Sequence, residues 1–359
     1  MDFSFWNGKT VFVTGHTGFK GSWLSFWLTQ LGAKVVGYSL PPETEPSLFK
    51  LLSFGPSFES HIGDIRDAEK LAKAISDCQP DIVFHLAAQP LVRESYRDPL
   101  TTFDSNVMGT ANFLAGMRGV ESIKAAVIIT TDKVYQNNEW EWAYRENEPL
   151  GGHDPYSASK ACTEIVVSSF RNSFFSGVSS DAPDIASARA GNVIGGGDWS
   201  EDRLIPDLIR SLDSEENLVV RNPESTRPWQ HVLEPLWGYM FLAQSLYEGK
   251  GQFEGAWNFG PIASDNLTVR QLLDSAYDIL RRPPSWKVEQ SELNPHEAQQ
   301  LRLDISKAAV RLGWAPVTNA QQAIEMTLSW YRRLSSGESA NDICLEQISG
   351  FQKLVVGSI

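Results

Sequence analysis

The sequence is poor in cysteine and in long apolar runs. Cys78, Cys162 and Cys344 are the only cysteines in 359 residues, and their wide spacing excludes a disulfide framework and a cysteine-based metal cluster. No run approaches the roughly 18 apolar residues of a membrane-spanning helix. The N-terminal stretch lacks the basic segment followed by an apolar one that marks a signal peptide. These absences predict a protein of the reducing cytoplasm.

Positive charge is also scarce, with 31 Lys and Arg against 44 Asp and Glu and a net charge of −13. This balance argues against nucleic acid or an anionic membrane as the main partner, although a few arginines can still hold a small anion. The 42% hydrophobic and 21% charged residues are typical of soluble globular proteins. The length suits one large α/β domain with an appended lobe.

Short apolar segments alternate with segments of helical periodicity through the first two-thirds of the chain. The pattern predicts buried parallel strands at 9–14, 34–40, 81–87, 125–130 and 185–190. It predicts helices at 22–32, 67–78, 100–118 and 157–175. The expected fold is α/β, a doubly wound parallel sheet of the Rossmann type with right-handed crossovers.

The pattern loosens after about residue 195. Helices are predicted at 203–212, 231–248, 267–281 and 320–334, with short strands near 217–221 and 256–259. We therefore expect a Rossmann domain at 1–195, to which some later segments return. Residues 196–335 are expected to form mainly a smaller substrate-binding lobe over the carboxyl ends of the strands. The tail at 336–359 carries no assignment.

A glycine-rich segment, "VTGHTGFKGSWL" (13–24), follows the first predicted strand and opens the first predicted helix. Gly15, Gly18 and Gly21 suit, in turn, a tight turn, a close approach of backbone to a pyrophosphate, and close packing of helix on sheet. The helix N-terminus adds free N–H groups and the positive end of the helix dipole. The segment predicts a dinucleotide cofactor.

The end of the second predicted strand, "GYSL" (37–40), lacks the acid that usually binds the adenosine ribose of NAD. No arginine stands there to bind a 2′-phosphate. NAD is the expected cofactor, held through Ser39 or backbone groups, but this stretch alone leaves NADP open. Asp64, in "GDIRD" (63–67), is expected to end a further strand and to face the adenine or cap the helix at 67–78, two roles that are compatible.

Tyr156 and Lys160 lie four residues apart at the start of a predicted helix, so they share one face. A lysine beside a tyrosine stabilises the phenolate, and such a tyrosine can take a proton from an alcohol while hydride leaves the same carbon. Upstream, Thr131 ends a strand and is followed by the charged pair Asp132 and Lys133. By itself this pair is most simply a solvated turn.

Five motifs together resemble the extended short-chain dehydrogenase/reductase family. They are "TGHTGFKG", "HLAAQPLV", "TTDKVY", "YSASK" and "RAGNVIGGGDW". Within that family the chain resembles the nucleotide-sugar 4,6-dehydratases, and most closely the branch that acts on CDP-glucose. His16, Lys20, Lys133 and the segment "RNPESTRPWQHVLEPL" (221–236) carry the closer resemblance, which extends to about residue 335.

The resemblance implies an NAD-dependent lyase that converts CDP-D-glucose to CDP-4-keto-6-deoxy-D-glucose and water. Tyr156, supported by Lys160, would take the C4 hydroxyl proton while hydride passes to NAD, and that hydride would later return to C6. Thr131 would bond the sugar O4, and Asp132 would protonate the departing C6 hydroxyl. Lys133 stands where the dTDP-glucose enzymes have the glutamate that takes the C5 proton. It would be that base if neutral, or would position a water or Asp132.

The resemblance also implies the remaining site residues. The expected cofactor contacts, besides Tyr156 and Lys160, are Gly15, His16, Thr17, Gly18, Phe19, Lys20, Gly21, Ser39, Asp64, Ile65, Leu86, Ala87, Ala88, Gln89, Asn106 and Thr130. The expected substrate contacts are Gln89, Thr131, Asn192, Arg203, Leu204, Arg221, Arg227 and His296. No metal ligand is expected.

Three other readings stay open from the sequence. A 4-epimerase needs Tyr156 and Lys160 but no acid for a departing C6 hydroxyl, so Asp132 favours elimination. A 4,6-dehydratase that acts on another nucleotide-hexose is the other alternative within the family. A nucleotide-sensing module that had lost the chemistry is expected to lack the tyrosine or the lysine, and this chain retains both.

A homodimer or homotetramer is expected, because two predicted helices carry apolar residues on more than one face. These residues are Phe103, Val107, Phe113, Leu114, Ile165, Val166, Val167, Phe170 and Phe174. The family resemblance also implies a place in deoxysugar biosynthesis for polysaccharides of the O-antigen or lipopolysaccharide type.

Overall fold

The computed structural model describes residues 2–176, 182–214, 216–249, 251–289 and 300–358. The strands are β1 (Thr10–Thr14), β2 (Lys34–Ser39), β3 (Phe58–Ile62), β4 (Ile82–His85), β5 (Ala125–Ile129), β6 (Asp184–Ala190), β7 (Val193–Ile194), β8 (Leu218–Val220), β9 (Thr226–Arg227), β10 (Gln230–His231), β11 (Gly255–Phe259), β12 (Leu267–Thr268) and β13 (Trp286–Val288).

The α-helices alternate with the strands of the first half and dominate the second. They are α1 (Phe19–Gln30), α2 (Leu48–Leu51), α3 (Ala68–Cys78), α4 (Val92–Arg97), α5 (Pro99–Phe103), α6 (Gly109–Gly116), α7 (Pro155–Phe170), α8 (Leu204–Ser214), α9 (Leu233–Gly249), α10 (Val269–Leu280), α11 (Ala320–Ser335) and α12 (Ala340–Ser358). A π-helical turn, Asp104–Met108, joins α5 to α6, and a second, Arg171–Phe175, extends α7.

Seven strands form one sheet in the order β11-β6-β5-β4-β1-β2-β3, and every neighbouring pair is parallel. The chain leaves β1 toward β2 and β3 on one side and returns with β4 on the other. The carboxyl ends of β1 and β4 therefore border the crevice where the strand order reverses, which is the usual ligand site of such sheets. The predicted doubly wound α/β fold is confirmed.

Apart from the largely exposed edge strand β3, the sheet is buried on both faces because its strands are rich in apolar residues. Along β1, Val11 and Val13 face one hydrophobic core and Phe12 faces the other, as the two-residue period of a strand requires. The core on the side of Val11 includes apolar residues of α1, α9 and α12, whereas the core on the side of Phe12 includes those of α3, α6 and α7.

The later part of the chain is divided between the sheet and the lobe. β11 pairs with β6 and is the outermost strand of the main sheet, so the segment near 256–259 belongs to that sheet. Short two-stranded ladders, β10 with β7, β12 with β9 and β13 with β8, build the lobe above the carboxyl ends of the main strands.

The C-terminal tail, which the sequence left unassigned, forms the long helix α12. Its Ile343, Ile348, Phe351 and Val355 are buried in the main core, and the Phe351 ring meets the Trp27 ring edge-on at 5.8 Å. The tail is thus part of the folded core. Within the described ranges, no helix combines the length and the apolar character needed to cross a membrane.

Candidate active site

A cleft of about 600 Å³ lies over the carboxyl ends of the central strands and beneath the lobe. Most of the predicted site residues line it. They are Gly15, Thr17, Gly18, Phe19, Lys20, Gly21, Ser39, Asp64, Ile65, Leu86, Ala87, Ala88, Gln89, Thr130, Thr131, Asp132, Lys133, Tyr156, Lys160, Asn192, Arg203, Leu204, Arg221 and Arg227.

The glycine loop has the geometry of a pyrophosphate cradle. Gly15 has a φ of 76°, and a Cβ there would lie 2.7 Å from the backbone nitrogen of Ala87. A Cβ at Gly21 would lie 2.0 Å from the Gly15 carbonyl, so the first turn of α1 packs directly on the loop. Gly18 faces open space apart from one atom at 3.4 Å, which leaves its backbone accessible to a ligand. The loop therefore fits a bound diphosphate at a helix N-terminus.

His16, predicted as a cofactor contact, lies behind the loop instead. Its imidazole is fully buried, Nε2 lies 2.7 Å from Ser60 Oγ, and a Cβ on Gly37 would meet the ring at 2.3 Å. Burial lowers the pKa of His16 to about 4. The side chain is therefore packed against Gly37 of β2 and Ser60 of β3 and does not line the cleft.

The adenosine end of the cleft lies beyond β2. Ser39 is buried and its Oγ lies 2.8 Å from Thr17 Oγ1, while Thr17 Oγ1 donates to the Leu40 carbonyl. Asp64 accepts from Arg66 Nε at 2.9 Å and Nη2 at 2.6 Å, and this pairing lowers the pKa of the Asp64 carboxyl. Asp64 does not cap α3, because Asp67 accepts from Lys70 N in that role.

The strand end at Thr131 and Asp132 is the most unusual part of the cleft. The Thr131 hydroxyl donates to Asp132 Oδ1 at 2.9 Å, and the second oxygen, Oδ2, is buried with no partner among the described residues. Burial raises the pKa of the Asp132 carboxyl, although Lys133 opposes the shift. A buried carboxyl with a raised pKa and an oxygen that has no partner is suited to donate a proton.

Tyr156 and Lys160 project from the first turns of α7 into the same region. The phenol hydrogen-bonds with Thr131, yet burial raises the pKa of Tyr156 to about 12. Lys160 is 5% exposed and its Nζ donates to the Ile129 carbonyl at 3.0 Å. Burial lowers the pKa of Lys160 to about 8. The expected lowering of the tyrosine pKa by Lys160 is therefore not seen in the protein alone, so the phenol needs further positive charge to ionise.

The side chains of Gln89 and Asn106 stabilise the loop after β4 and connect it to neighbouring helices. Gln89 Nε2 donates to the Leu91 carbonyl and to Thr102 Oγ1, so this side chain folds back on its own loop and does not extend to a sugar. Asn106 is buried outside the cleft, where Oδ1 accepts from Gln89 N at 2.8 Å and Nδ2 donates to Ser159 Oγ. Asn106 thus links the loop after β4 to α7, the helix that carries Tyr156 and Lys160.

The predicted substrate contacts lie under the lobe. Arg203 Nη1 lies 3.2 Å from Asp198 Oδ2, and Arg227 Nη1 donates to the Thr226 carbonyl. Both guanidinium groups face the cleft, as do Asn192 and Leu204. His296 lies outside the described residues.

A buried ion pair, which was not predicted from the sequence, connects α7 to β6. Glu164 pairs with Arg189 through two contacts of 2.9 Å, and it also accepts from Thr130 Oγ1 at 2.5 Å and from Ser187 Oγ at 2.6 Å. Arg189 and these hydrogen bonds keep the pKa of Glu164 low despite its burial. The available signal was its position, since Glu164 lies one helical turn after Lys160.

The pair also explains the place of Thr130. This residue borders the cleft, but its hydroxyl is directed to Glu164 rather than toward a cofactor. Thr130 therefore fixes the end of β5 against α7.

The sheet, the glycine loop and the Tyr–Lys pair define a dinucleotide-binding enzyme of the short-chain dehydrogenase/reductase type. The chain belongs to the family described as GDP-mannose 4,6 dehydratase, whose model matches residues 12–327. It is 51% identical to a CDP-glucose 4,6-dehydratase of Salmonella typhimurium over 353 residues, which is 98% of each chain. It is 26% identical to a dTDP-glucose 4,6-dehydratase of Xanthomonas campestris, over 90% of this chain and 93% of the other.

Solved structures share the fold. A dTDP-glucose 4,6-dehydratase of Bacillus anthracis superposes with a TM-score of 0.76 at 20% identity, covering 91% of this chain and 97% of that one. A UDP-glucuronic acid 4-epimerase of Bacillus cereus superposes with a TM-score of 0.78 at 22% identity, covering 90% and 99%. Because dehydratases and epimerases share this fold, the fold alone does not select the reaction.

Proposed function

We propose that this protein converts CDP-D-glucose to CDP-4-keto-6-deoxy-D-glucose and water with NAD as an internal redox cofactor. The observation that carries the proposal is the buried carboxyl of Asp132 in the cleft: its Oδ1 accepts from Thr131, which also hydrogen-bonds with Tyr156, and its Oδ2 has no partner among the described residues. The 51% identity to a CDP-glucose 4,6-dehydratase over nearly the whole chain supports the choice of substrate.

The cleft fits NAD on the protein side. The open backbone at Gly18 and the close packing of Gly15 and Gly21 suit the pyrophosphate, and Ser39 lines the adenosine end. Arg66 is committed to Asp64 by a bidentate pair, which makes it a poor partner for a 2′-phosphate and favours NAD over NADP. NAD, when bound, accepts a hydride from C4, returns one to C6 and brings a positively charged ring to the site.

Tyr156 is the proposed acceptor of the C4 hydroxyl proton, because its phenol lies in the cleft and hydrogen-bonds with Thr131. Lys160, anchored on the Ile129 carbonyl, lines the same cleft as the phenol. The Thr131 hydroxyl donates to Asp132 and hydrogen-bonds with Tyr156, so it fixes the proposed acid and the proposed base next to each other in the cleft.

Asp132 is the proposed acid for elimination. Once C4 is a ketone, the C5 proton becomes acidic and the C6 hydroxyl leaves as water when it receives a proton. Burial raises the pKa of Asp132, so the carboxyl holds a proton more readily than an exposed aspartate does. A 4-epimerase has no departing hydroxyl and needs no such acid, which is why the site favours dehydration.

Lys133 is the proposed acceptor of the C5 proton. It lines the cleft directly after Asp132, and its backbone N–H donates to Thr131 Oγ1 at 3.3 Å, which orients the turn. A lysine acts as a base only when neutral.

We also propose a homodimer, formed by the helices that precede and include α7. Leu100 is 80% exposed, Met108 52% and Ile165 57%, and Phe174 is exposed at the end of the same helix. Phe113, Leu114 and Val167, expected at the contact from the sequence, are buried in the core instead. The exposed set forms the apolar surface that a second copy would cover.

The reaction class fits a step in the cytoplasmic supply of deoxysugars for polysaccharides of the lipopolysaccharide type. The three cysteines are free, as expected of a reducing compartment. The experiment that tests the function is incubation of the purified protein with CDP-, UDP-, dTDP- and GDP-glucose, followed by detection of an alkali-labile keto-sugar through its ultraviolet absorbance. Product from CDP-glucose is expected; C4 inversion without a stable ketone would point to an epimerase.

A further inference from the structure

Four charged side chains meet at the outer end of the cleft and join the sheet domain to the lobe. Arg93 lies on α4, Asp202 precedes α8, Arg221 follows β8, and Glu289 follows β13. Asp202 Oδ1 lies 2.9 Å from Arg221 Nη2 and 3.3 Å from Arg93 Nη1. Glu289 Oε2 is more distant, 3.7 Å from Arg93 Nη2 and 4.0 Å from Arg221 Nε. One carboxylate oxygen is therefore shared by two guanidinium groups from different parts of the chain.

Three of these residues face the cleft itself. Arg93, Asp202 and Arg221 all border the cavity in which the glycine loop and Tyr156 lie. Arg93 is the member that comes from the sheet domain, on the helix that follows the loop after β4. An anion that entered the cleft from its outer end would meet the same donors that Asp202 now occupies.

The cluster leaves Arg93 incompletely paired. Its Nε is buried and has no hydrogen-bond partner among the described residues, and its two Nη contacts, at 3.3 and 3.7 Å, are longer than a charge-assisted hydrogen bond of about 2.8 Å. A buried donor without a partner loses its hydration and gains no hydrogen bond in return. Arg93 therefore retains donor capacity that an oxyanion with several oxygens would satisfy better than Asp202 does.

Asp202 also sits in an uncommon backbone conformation. Its φ is 59°, in the left-handed region that residues other than glycine, asparagine and aspartate adopt infrequently. In this conformation the loop presents the carboxylate to the two arginines.

We propose that Arg93 is a substrate-anchoring residue supplied by the sheet domain, and that Asp202 competes with the diphosphate of the substrate for Arg93 and Arg221. The proposal rests on the proposed function, in which the substrate is a nucleoside diphosphate sugar. Guanidinium forks bind phosphate oxygens in pairs, and a diphosphate offers more oxygens and more charge than one carboxylate. Substrate binding then exchanges the Asp202 contacts for phosphate contacts at the mouth of the cleft.

The proposal predicts opposite effects from two neutralising substitutions. Loss of the Arg93 guanidinium removes a charged donor, and CDP binding should weaken about tenfold or more. Asp202→Asn removes the competing charge but keeps the size of the side chain, and CDP binding should tighten about two- to fivefold. If these ion pairs only hold the sheet domain and the lobe together, CDP binding should weaken in both variants.

The test is calorimetric titration of the NAD-loaded protein with CDP, which needs no turnover. The variants are Arg93→Ala, Arg93→Lys, Asp202→Asn and, as the matched control, Arg97→Ala. Arg97 lies on the same helix, is 66% exposed and pairs with Glu94 at 3.2 Å. The control should bind CDP as the unmodified protein does, and the lysine variant should be intermediate because it keeps charge but loses the fork.

Each outcome is informative. Equal affinities for Arg93→Ala and Arg97→Ala would overturn the role of Arg93, and weaker binding by Asp202→Asn would overturn the competition. Failure of the unmodified protein to bind CDP, with product formed from another nucleotide-hexose, would contradict the proposed substrate, and the same variants titrated with the nucleoside diphosphate of that hexose would then decide the role of Arg93.

Discussion

The imidazole Nδ1 of His85 lies 2.8 Å from the hydroxyl of Thr14, and the hydrogen bonds around this pair specify the tautomer of the histidine. Thr14 Oγ1 accepts from the backbone N–H groups of Leu86 and Ala87 at 3.1 and 3.2 Å, so its single proton is directed to His85 Nδ1. His85 Nε2 then donates to Thr110 Oγ1 at 3.1 Å. The histidine is therefore neutral, and its hydrogen bonds connect β1, β4 and α6 beneath the glycine loop.

The buried histidines predict a protein that loses stability in mild acid. Burial lowers the pKa of His85 and of His231 to about 3 and that of His16 to about 4, while burial raises the pKa of Glu234 to about 7. Below pH 6.5 these histidines bind protons in the unfolded protein but stay neutral in the folded protein. Glu234 opposes this, because its folded form holds a proton that the unfolded form releases above pH 4.5.

The net effect is about two protons taken up on unfolding near pH 5.5, so the free energy of unfolding should fall by about 2 kcal/mol between pH 6.5 and 5.5. Urea unfolding at a series of pH values measures this slope. Glu234→Gln keeps an acceptor for Val317 and Thr318 and should steepen the slope by about one proton. A flat profile for both proteins would contradict the neutral buried histidines.

Tyr156→Phe should abolish turnover and leave CDP-glucose binding nearly intact. The phenolic oxygen is needed to take the C4 proton, but it contributes little contact area. Initial rates and calorimetry with CDP-glucose measure the two effects separately. Tyr96→Phe, a change of the same size at a tyrosine that is 42% exposed, is the control and should retain activity. Near-normal turnover by Tyr156→Phe would remove this residue from the mechanism.

Asp132→Asn should separate oxidation from elimination. The amide is nearly isosteric, so the sugar should bind in a similar pose, but it supplies no proton to the C6 hydroxyl, and loss of such an acid costs about 10²–10⁴-fold. Mixing with CDP-glucose should raise the reduced-nicotinamide absorbance without the later fall, which stopped-flow spectroscopy detects. No rise at all would mean that Asp132 is required for binding or for the first hydride transfer.

Lys133 variants should distinguish a base from a positioning charge. Lys133→Met and Lys133→Arg should both oxidise C4 but fail to exchange the C5 hydrogen in deuterated water, because neither side chain provides a neutral amine. Mass spectrometry of the sugar released from quenched reactions measures the exchange. If arginine restores exchange and methionine does not, Lys133 acts through its charge, by orienting a water or Asp132.

The sequence by itself determined the parts of this protein that depend on neighbours along the chain. The glycine loop follows from three glycines between a strand and a helix, and the facing pair Tyr156 and Lys160 follows from one helical turn. Strands β1, β2, β4, β5 and β6 were predicted to within one or two residues because continuous apolar runs mark a sheet covered on both faces. The bounds of β3 (Phe58–Ile62) were not predicted, because this edge strand is largely exposed and has no such run. Each of these signals spans fewer than a dozen residues.

Only the tertiary structure decided which polar groups share partners across the chain. It directs Gln89 back onto Thr102, turns His16 away from the cleft, and buries Glu164 against Arg189, none of which a local pattern reports. It likewise places Gly255–Phe259 at the edge of the main sheet and buries one face of the tail helix. The reason is physical: periodicity identifies the face of an element that is buried, whereas the partner that a buried polar atom finds depends on segments that folding brings together.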